Sequence, residues 1–532
     1  MKTSLRKLTR AWPLAICLLL PSLTRAETPV QAWAQRYNGL ANGNDWAYAM
    51  AVDGSNNVIV TGASTDSGGW RHFATIKYSS VGVPLWTNRY NGPGNGDDKA
   101  CAMAVDGNNA VIVTGYSTGS GSSWDYATIK YSSEGVPLWT NRYTGELKGT
   151  DAATALAVDG SNNVVVTGYS AGNASAMDYA TIKYSSAGVP LWTNRYNGPQ
   201  SYLDEASAVA VDGNNDVIVT GTCYVRGGSF YDDCDYLTIK YSNGGVPLWT
   251  NRYDGPGKSS DYAQAMAVDG GNNVIVTGYS IGAGSSYDYA TIKYSSAGVP
   301  LWTNRYNGPG NGEDKASAVA VDGNDAVIVT GYSTGSGSAR DYATIKYSSA
   351  GVPLWTNRYN GPGDYNDAVL AVAVDGSNNV IVTGGSASMS DSPFNYDCAT
   401  IKYSSTGVPL WTNRYNGSGD GDDFALAVVV DHSGNVILAG YSINSASGYD
   451  FAIIKYICVP SPVMTGLPLT NGSLQLRVED VLQPGTLVIE ASTDLAGWAP
   501  VFTNTTPTNV LFYTDPEAGN SATRYYRAFQ SP

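Results

Sequence analysis

Hydrophobic and polar residues alternate in short runs along most of the chain, and turns rich in Gly, Asn, Asp and Ser separate the runs. One run begins at Asp98 as DKACAMAV, and the next is VIVTG at 111–115. The third is YATIKY at 126–131, and the fourth is PLWTNRY at 137–143. A period of two over such short runs predicts β-strands, and the tight turns predict antiparallel hairpins.

These four runs recur as one unit, and a Trp in the fourth run marks the period. Successive Trp lie 53 to 57 residues apart, at Trp33, Trp86, Trp139, Trp192, Trp249, Trp302, Trp355 and Trp411. Four short strands per repeat of this length are typical of a β-propeller blade. The first three strands occur eight times, and a Trp strand at 30–37 precedes them while none follows Tyr456. We therefore expect an all-β, eight-bladed propeller in which the N-terminal strand completes the eighth blade; an open solenoid would leave that strand unpaired.

Residues 178–198, DYATIKYSSAGVPLWTNRYNG, and segments such as 267–280, AVDGGNNVIVTGYS, resemble the SBBP-type β-propeller repeat of exported bacterial proteins. The resemblance implies a propeller and no particular reaction. After Val459 the repeat stops, and short alternating strands follow that are similar to the fibronectin-like β-sandwich modules of exported bacterial proteins. The predicted domains are a signal peptide at 1–26, the propeller at 27–458 and a β-sandwich at 459–532.

Residues 1–26 combine a basic start, an apolar stretch and small residues before position 27. This pattern predicts a cleaved signal peptide, with an uncleaved anchor as the alternative, and hence a secreted or cell-surface protein. No later segment is apolar enough to enter a membrane, and we expect a monomer. Five Cys remain after cleavage, of which Cys223 and Cys234 flank one hairpin loop and are predicted to form a disulfide.

Acidic residues dominate the charge once 1–26 is removed, with 26 basic against 45 acidic residues. Such a chain is repelled by phosphate backbones and anionic membranes, which argues against nucleic acid as a partner. With 2 His in the chain, we expect no metal centre of the His type and no cofactor. One open alternative is calcium, bound by the Asp that begins each first strand; the favoured interpretation is that these residues cap loop N–H groups. They are Asp45, Asp98, Asp151, Asp204, Asp261, Asp314, Asp367 and Asp423.

Other recurrent residues have structural interpretations. The Trp are expected between adjacent blades, and the Asp of the DGNN-type turns are expected to form those turns. Arg in NRY and Lys in IKY recur eight times each, which predicts a charge belt on the outer strands that is paired with Asp at modest gain.

The units differ in length in one place, the loop between the second and third strands, which is 66–70 in the first unit and is longer in the fourth and seventh units. Antiparallel order puts this loop and the loop to the next unit on one edge, the variable rim; the DGNN-type and SSAG-type turns, such as 53–57 and 79–83, form the stereotyped rim. Aromatic and Arg side chains in the variable loops can stack on sugars or contact a protein, or instead each can cover its own hairpin. The candidate binding residues are Trp70, Arg71, Trp124, Arg226, Phe230, Tyr231, Tyr287, Arg340 and Phe394.

The sequence therefore predicts a non-catalytic protein that binds a glycan or a cell-surface protein through the variable rim. A structural scaffold without a small ligand is one alternative. An enzyme would require a confined acidic site, for which His72 with neighbouring Asp is the candidate. A quinoprotein is a further alternative, since Gly135 and Trp139 resemble the tryptophan docking of that class, but no adjacent Cys pair is present.

Overall fold

The structure is a computed structural model of the chain. It describes residues 27–460, apart from 173–176, 199–202, 226–232, 338, 389–394 and 445–447. In the C-terminal part it describes 463–468, 474–479, 486–493, 498–505, 508, 510–517 and 525–531. All elements in these ranges are β-strands, and no helix that could cross a membrane occurs there. The predicted signal peptide lies outside the described residues.

The repeats fold as predicted, each into one antiparallel sheet whose strands pair in chain order. The first strand among the described residues is β1 (Glu27–Tyr37). Sheet 1 holds β2 (Asp45–Val52), β3 (Val58–Thr65), β4 (Arg71–Tyr78) and β5 (Pro84–Tyr90). Sheet 2 holds β6 (Asp98–Val105), β7 (Val111–Thr118), β8 (Trp124–Tyr131) and β9 (Pro137–Tyr143). Sheet 3 holds β10 (Asp151–Val158), β11 (Val164–Ala171), β12 (Met177–Tyr184) and β13 (Pro190–Tyr196).

The following four sheets repeat this arrangement. Sheet 4 holds β14 (Asp204–Val211), β15 (Val217–Tyr224), β16 (Cys234–Tyr241) and β17 (Pro247–Tyr253). Sheet 5 holds β18 (Asp261–Val268), β19 (Val274–Ile281), β20 (Tyr287–Tyr294) and β21 (Pro300–Tyr306). Sheet 6 holds β22 (Asp314–Val321), β23 (Val327–Thr334), β24 (Arg340–Tyr347) and β25 (Pro353–Tyr359). Sheet 7 holds β26 (Asp367–Val374), β27 (Val380–Ser388), β28 (Asn395–Tyr403) and β29 (Pro409–Tyr415).

Sheet 8 is completed by the N-terminal strand, as predicted. It holds β30 (Asp423–Val430), β31 (Val436–Asn444) and β32 (Gly448–Pro460), and β1 pairs with β32 as the outermost strand. Trp33 of β1 donates from Nε1 to the carbonyl oxygen of Ser80 in sheet 1 at 3.2 Å. Strands β30 and β31 of this sheet also pack against β2. The last sheet therefore contacts the first.

Each recurrent Trp joins two sheets, which confirms the expected position. Trp86 of sheet 1 donates from Nε1 to the carbonyl oxygen of Ser133 in sheet 2 at 3.0 Å. Its ring lies against Gly135, which has a φ of +85°. A Cβ at Gly135 would stand 2.7 Å from that ring, so both the turn geometry and the contact require glycine there.

The stereotyped rim is held by buried ion pairs. Asp53 accepts the backbone N–H groups of Ser55 and Asn57, which confirms the predicted role in the turn. Its Oδ2 lies 2.8 Å from Nζ of Lys77, and both side chains are buried. Burial alone would raise the pKa of Asp53, but its hydrogen bonds with Lys77 and Asn57 outweigh burial and lower it. The pairing with Asp is confirmed. The modest gain expected of exposed pairs does not apply to the lysines, because Lys77 and Asp53 are 4% and 3% exposed and a buried charge depends strongly on its partner.

The C-terminal unit, 460–532, contains two three-stranded sheets among its described residues. One sheet has the order β33, β34, β37, with β33 (Val463–Pro468), β34 (Leu474–Glu479) and β37 (Val510–Asp515). The other has the order β36, β35, β38, with β35 (Thr486–Ser492), β36 (Ala499–Asn504) and β38 (Tyr525–Ser531). Leu476 and Val478 of the first sheet share a hydrophobic cluster with Leu487 and Ile489 of the second.

Candidate functional site

The Asp that begins each first strand organises the loops of the variable rim. Asp98 accepts the N–H of Gly92 at 2.9 Å and the N–H of Thr118 at 3.0 Å, so it ties the loop that enters its sheet to the second strand. Asp45 accepts the corresponding N–H groups of Gly39 and Thr65. The predicted capping is therefore confirmed. Burial raises the pKa of Asp45, and its hydrogen bonds with Gly39, Ser64 and Thr65 oppose that rise.

An open depression of about 640 Å³ lies on the variable rim where sheets 8, 1 and 2 meet. Its wall combines two indole rings with amides and an ion pair. The side chains that line it include Asn42, Asn44, Trp46, Trp70, Arg71 and Asp97. The sequence prediction named two of these residues, Trp70 and Arg71. We refer to this feature as the rim depression.

Trp70 is carried by a compact loop, residues 66–70, whose geometry Asp66 determines. The carboxylate oxygen Oδ1 of Asp66 accepts the N–H of Gly68 at 2.8 Å and the N–H of Trp70 at 3.0 Å. The N–H of Asp66 donates to the carbonyl oxygen of Trp70 at 2.8 Å, which closes the loop. Trp70 itself stays 50% exposed, so one large apolar ring is held at the surface without a covering residue.

Arg71 and Asp97 form the charged side of the rim depression. Nη2 of Arg71 lies 2.7 Å from Oδ2 of Asp97, and its Nε lies 3.2 Å from Oδ1, so the pair is bidentate. These hydrogen bonds with Arg71 lower the pKa of Asp97. The side chains are 31% and 27% exposed, so the pair presents fixed hydrogen-bonding edges to solvent.

The remaining described candidates fold back on their own sheets. Trp124 stacks on Tyr116 with ring centroids 4.3 Å apart. Tyr287 contacts Tyr279 edge to face at 5.1 Å. Arg340 lies 4.5 Å from the ring centre of Tyr332 and pairs with Glu313 at 2.6 Å. The structure therefore does not bring these three residues to the rim depression. The other four candidates lie outside the described residues: Arg226, Phe230, Tyr231 and Phe394.

Sequence reasoning missed the site residues that lie on strands or in the loops between sheets. Trp46 follows the first-strand Asp, a position that also holds Lys99 in sheet 2 and Phe424 in sheet 8. That position differs from unit to unit while its neighbours repeat, and this difference within a repeat was the available signal. From sheet 7 to sheet 1, Phe424 and Trp46 at this position and three Tyr on second or third strands form a continuous series of aromatic contacts. The centroid distances are 4.8, 5.4, 5.1 and 6.2 Å along Tyr396, Phe424, Tyr441, Tyr449 and Trp46. We refer to this series as the aromatic arc.

The predicted disulfide is wrong, because the two cysteines lie on opposite faces of sheet 4. Both are free thiols, and Cys223 stands opposite Asp235 while Cys234 stands opposite Tyr224. Positions one register step apart point to opposite faces of a sheet, so proximity in the hairpin does not let the sulfur atoms meet. Burial raises the pKa of the Cys234 thiol to about 11.

Among the described residues, Asp235, Asp254 and Asp261 offer carboxylate oxygens within 4.8 Å of one another. Asp235 is paired with Arg252 and Asp254 with Lys258, so two of the three carboxylates already have a cation partner. We assign no metal to this cluster.

No protein-family model matches the chain, so the SBBP-type assignment stays a prediction. A WD repeat-containing protein of Acanthamoeba polyphaga mimivirus is 23% identical over 413 residues, an alignment that covers 54% of this chain and 29% of that protein. The chain thus matches less than a third of that relative's length. Solved structures that resemble the chain include Drosophila Plexin A in complex with Semaphorin 1b, with 9% identity, a TM-score of 0.38 and coverage of 81% of this chain and 88% of that one. A eukaryotic initiation factor has 8% identity, a TM-score of 0.35 and coverage of 70% and 95%.

The prediction that the chain is not an enzyme is corrected by the same comparison. The similar structures include a glucose dehydrogenase, with 8% identity, a TM-score of 0.30 and coverage of 56% of this chain and 94% of that one. Chains described as a gluconolactonase and an exo-β-1,3-galactanase are also among them. The prediction rested on the absence of a recognisable catalytic set in the sequence, and a propeller fold by itself excludes no reaction; these distant likenesses assign no activity to this chain. The repeat and the sheet topology identify the chain as a β-propeller repeat protein.

Proposed function

We propose that the chain is an exported, eight-bladed propeller with a C-terminal β-sandwich, and that it binds carbohydrate chains at the rim depression. The observation that carries this proposal is the pair of indole rings, Trp46 and the half-exposed Trp70, in one open depression with hydrogen-bonding edges. Aromatic rings provide flat apolar surfaces for the C–H faces of sugar rings. Recognition sites of this kind combine such surfaces with a few fixed polar groups.

The polar groups of the rim depression suit hydroxyl ligands better than ionic ones. Arg71 and Asp97 neutralise each other in a bidentate pair, and both still offer hydrogen-bonding edges. Asn42 and Asn44 are exposed and present amides beside them. Amides and a neutralised ion pair can both donate to and accept from sugar hydroxyls without leaving a net charge in the site.

The aromatic arc favours an oligosaccharide over a single sugar. It reaches Trp46 from two sheets away through rings that are all partly exposed. A chain of several sugars that starts at Trp70 would find further stacking surfaces along this direction. Affinity is therefore expected to grow with the number of sugar units.

The test is a glycan and polysaccharide array probed with the chain from residue 27 to residue 532, followed by calorimetry with oligosaccharides of increasing length. Trp70→Ala should weaken binding at least tenfold, because Trp70 supplies the exposed stacking face. Trp124→Ala is the matched control, since its ring already stacks on Tyr116, and it should bind within about twofold of the unaltered protein. A blank array, or equal binding by both variants, would refute carbohydrate binding at this site.

A protein partner is the second candidate, and sheets 5 and 6 carry the observation that favours it. Nζ of Lys315 lies 4.9 Å from the ring centre of Tyr279 and 4.7 Å from that of Tyr287, and Arg340 covers Tyr332 nearby. Tyr and Arg are enriched among the residues that dominate protein interfaces. Capture of a defined surface protein by the chain, lost in Arg340→Ala and kept in Trp70→Ala, would support this candidate.

A further inference from the structure

His72 is the exception at a position near the start of each third strand. Asp125 in sheet 2 and Asp288 in sheet 5 hold the equivalent position, where each pairs with the Arg of its own fourth strand. In sheet 1 the position holds His72, which is 5% exposed. It is one of 2 His in the chain.

Both ring nitrogens of His72 face carboxylates. Nε2 lies 2.9 Å from Oδ2 of Asp66, and Nδ1 lies 3.2 Å from Oδ2 of Asp98. A carboxylate accepts hydrogen bonds and cannot donate them, and a neutral imidazole carries one N–H. Both hydrogen bonds can therefore form at once when the ring is an imidazolium. A neutral ring would leave one nitrogen lone pair facing a carboxylate oxygen.

These two carboxylates anchor different parts of the variable rim. Asp66 holds the 66–70 loop through its Oδ1, which accepts the N–H groups of Gly68 and Trp70. Asp98 holds the loop that enters sheet 2. The hydrogen bond from His72 lowers the pKa of Asp66 and so keeps the loop anchor ionised. A protonated His72 thus ties the loop that carries Trp70 to the adjoining sheet.

Three carboxylates and two guanidinium groups make up the charged surroundings of His72. Besides Asp66 and Asp98, it is near enough to Asp97 to influence that carboxylate. The neighbouring cations have other partners: Arg71, on the same strand, is held by Asp97, and Arg89, on the paired strand, donates to Ser64 and Tyr37. Because both guanidinium groups are engaged elsewhere, the two ring nitrogens of His72 have carboxylates as their hydrogen-bond partners.

We propose that His72, with both ring nitrogens protonated, is a positioning residue that holds the 66–70 loop in its binding conformation, so that binding at the rim depression weakens as pH rises and the ring loses a proton. Histidine ordinarily exchanges its proton between about pH 5 and pH 8, within the range of natural environments. This inference rests on the proposed function for its effect on binding. The effect on the loop itself is independent of any ligand.

The first experiment measures loop protection without a ligand. Hydrogen exchange of the peptide 64–73 in the chain 27–532 is followed by mass spectrometry from pH 5.5 to pH 8.5, corrected for the chemical exchange rate. Protection should fall at least fivefold as pH rises in the unaltered protein, and it should be independent of pH in His72→Gln. The sheet 2 loop, 119–123, is the internal control, because Ser122 and Asp125 hold it without histidine. A flat profile in the unaltered protein would overturn the proposal.

The second experiment uses the unaltered protein and so does not depend on folding of the variant. Because the chain has 2 His, a ¹⁵N-histidine spectrum contains two imidazoles, and His432→Ala assigns them. His432 lies on the stereotyped rim with Nδ1 2.8 Å from Oδ1 of Asn56, an amide, and serves as the comparison. Both nitrogens of His72 should carry protons at pH 5.5, and one proton should leave over the range in which the loop loses protection. A neutral His72 in a fully protected loop would overturn the proposal.

Different results would refute carbohydrate binding at the rim depression and the role of His72 in holding the loop. Oligosaccharide binding that is constant from pH 5.5 to pH 8.5, together with flat loop protection, would overturn the role of His72 and leave carbohydrate binding intact. A blank glycan array together with protection that depends on pH would overturn carbohydrate binding and support the role of His72 in positioning the loop.

Discussion

The two rims of this propeller are made from the same strands, yet they differ in how their charges are held. At the stereotyped end of β4, Lys77 and Asp53 are 4% and 3% exposed and 2.8 Å apart. At the variable end of the same strand, Arg71 and Asp97 are 31% and 27% exposed and 2.7 Å apart. The two ion pairs have nearly equal contact distances, but the Lys77–Asp53 pair is buried and the Arg71–Asp97 pair is partly exposed. Burial decides the cost of losing one partner, since water can compensate an exposed charge and not a buried one.

This difference in burial indicates that the stereotyped rim contributes more to stability, which leaves the variable rim available for recognition. The stereotyped rim repeats one set of contacts. The Asp turn and the Lys–Asp pair lie within each sheet, while the Trp and Gly contact and a hydrogen bond such as that from Lys77 Nζ to the carbonyl oxygen of Ser133, 2.9 Å long, join neighbouring sheets. Because these contacts hold each sheet to the next, the variable rim is free to differ between units. Its loops carry Trp70 in one unit and different residues in the other units, while the strands that support the loops stay the same.

Removal of β1 should have the largest effect on the stability of the propeller. Without residues 27–37, sheet 8 loses its outer strand, the Trp33 contact with sheet 1 and the Arg36 pair with Asp450 at 3.2 Å. Truncation of one large core side chain alone costs about 3–5 kcal/mol, so the loss of the whole strand should exceed that. Calorimetry should show a large fall in Tm, whereas deletion of 27–29 should change it little. Equal Tm values for the two deletions would contradict the closure of the ring by β1.

The repeat made this part of the fold predictable. A Trp at nearly constant spacing and runs of period two identified four strands per unit, and the surplus Trp strand at the N-terminus identified the partner of β32. Local patterns succeed here because every unit meets the same neighbours. The burial of Lys77 was not predictable in the same way, since the strand pattern does not reveal how the next sheet covers the ammonium group.

A pair of variants in β4 compares the two rims directly. Lys77→Ala leaves the Asp53 carboxylate buried without its cation and should cost about 3–5 kcal/mol of unfolding free energy. Arg71→Ala removes an exposed partner and should cost at most about 1 kcal/mol. Urea denaturation measures both. Adding Asp53→Asn to Lys77→Ala should recover part of the loss, because it removes the uncompensated charge; equal costs for the two single variants would contradict the comparison.

The rim depression was less predictable than the frame. Trp70 and Arg71 were predicted because they lie in the loop that varies between units, where an aromatic and an Arg are unusual residues for an exposed turn. Trp46 and Asn44 belong to the first unit, while the adjoining wall at Gly448 comes from the eighth, more than 400 residues later in the chain. Asp97 comes from the loop that enters sheet 2, and repeats aligned unit by unit do not reveal a site built from three units. The disulfide failed for a related reason, since separation along the chain does not fix the face of a sheet.

The smallest expected effect is the response of the two rims to acid. Strand β30 begins at a carboxyl of the variable rim, Asp423, and is followed directly by a carboxyl of the stereotyped rim, Asp431. Burial raises the pKa of Asp423, at the variable end, to about 6, and the nearby Asp397 adds to the rise. At the stereotyped end, burial would raise the pKa of Asp431, but its hydrogen bonds with Lys455 and Asn435 lower it overall. In the unfolded chain both carboxyls titrate near pH 3.9.

Acidification should therefore first stabilise and then destabilise the propeller. Between about pH 6 and pH 4 the folded state holds a proton on Asp423 that the unfolded chain lacks, so stability rises as pH falls through about 6. The stabilisation from Asp431 is present above the unfolded pKa and is lost as pH falls toward its lowered folded pKa. Calorimetry from pH 7 to pH 3 should show that Asp423→Asn reduces the rise, while Asp431→Asn lowers stability at pH 7 and reduces the loss in acid. A rise that is unchanged in Asp423→Asn would show that the buried carboxyl of the variable rim is not its source.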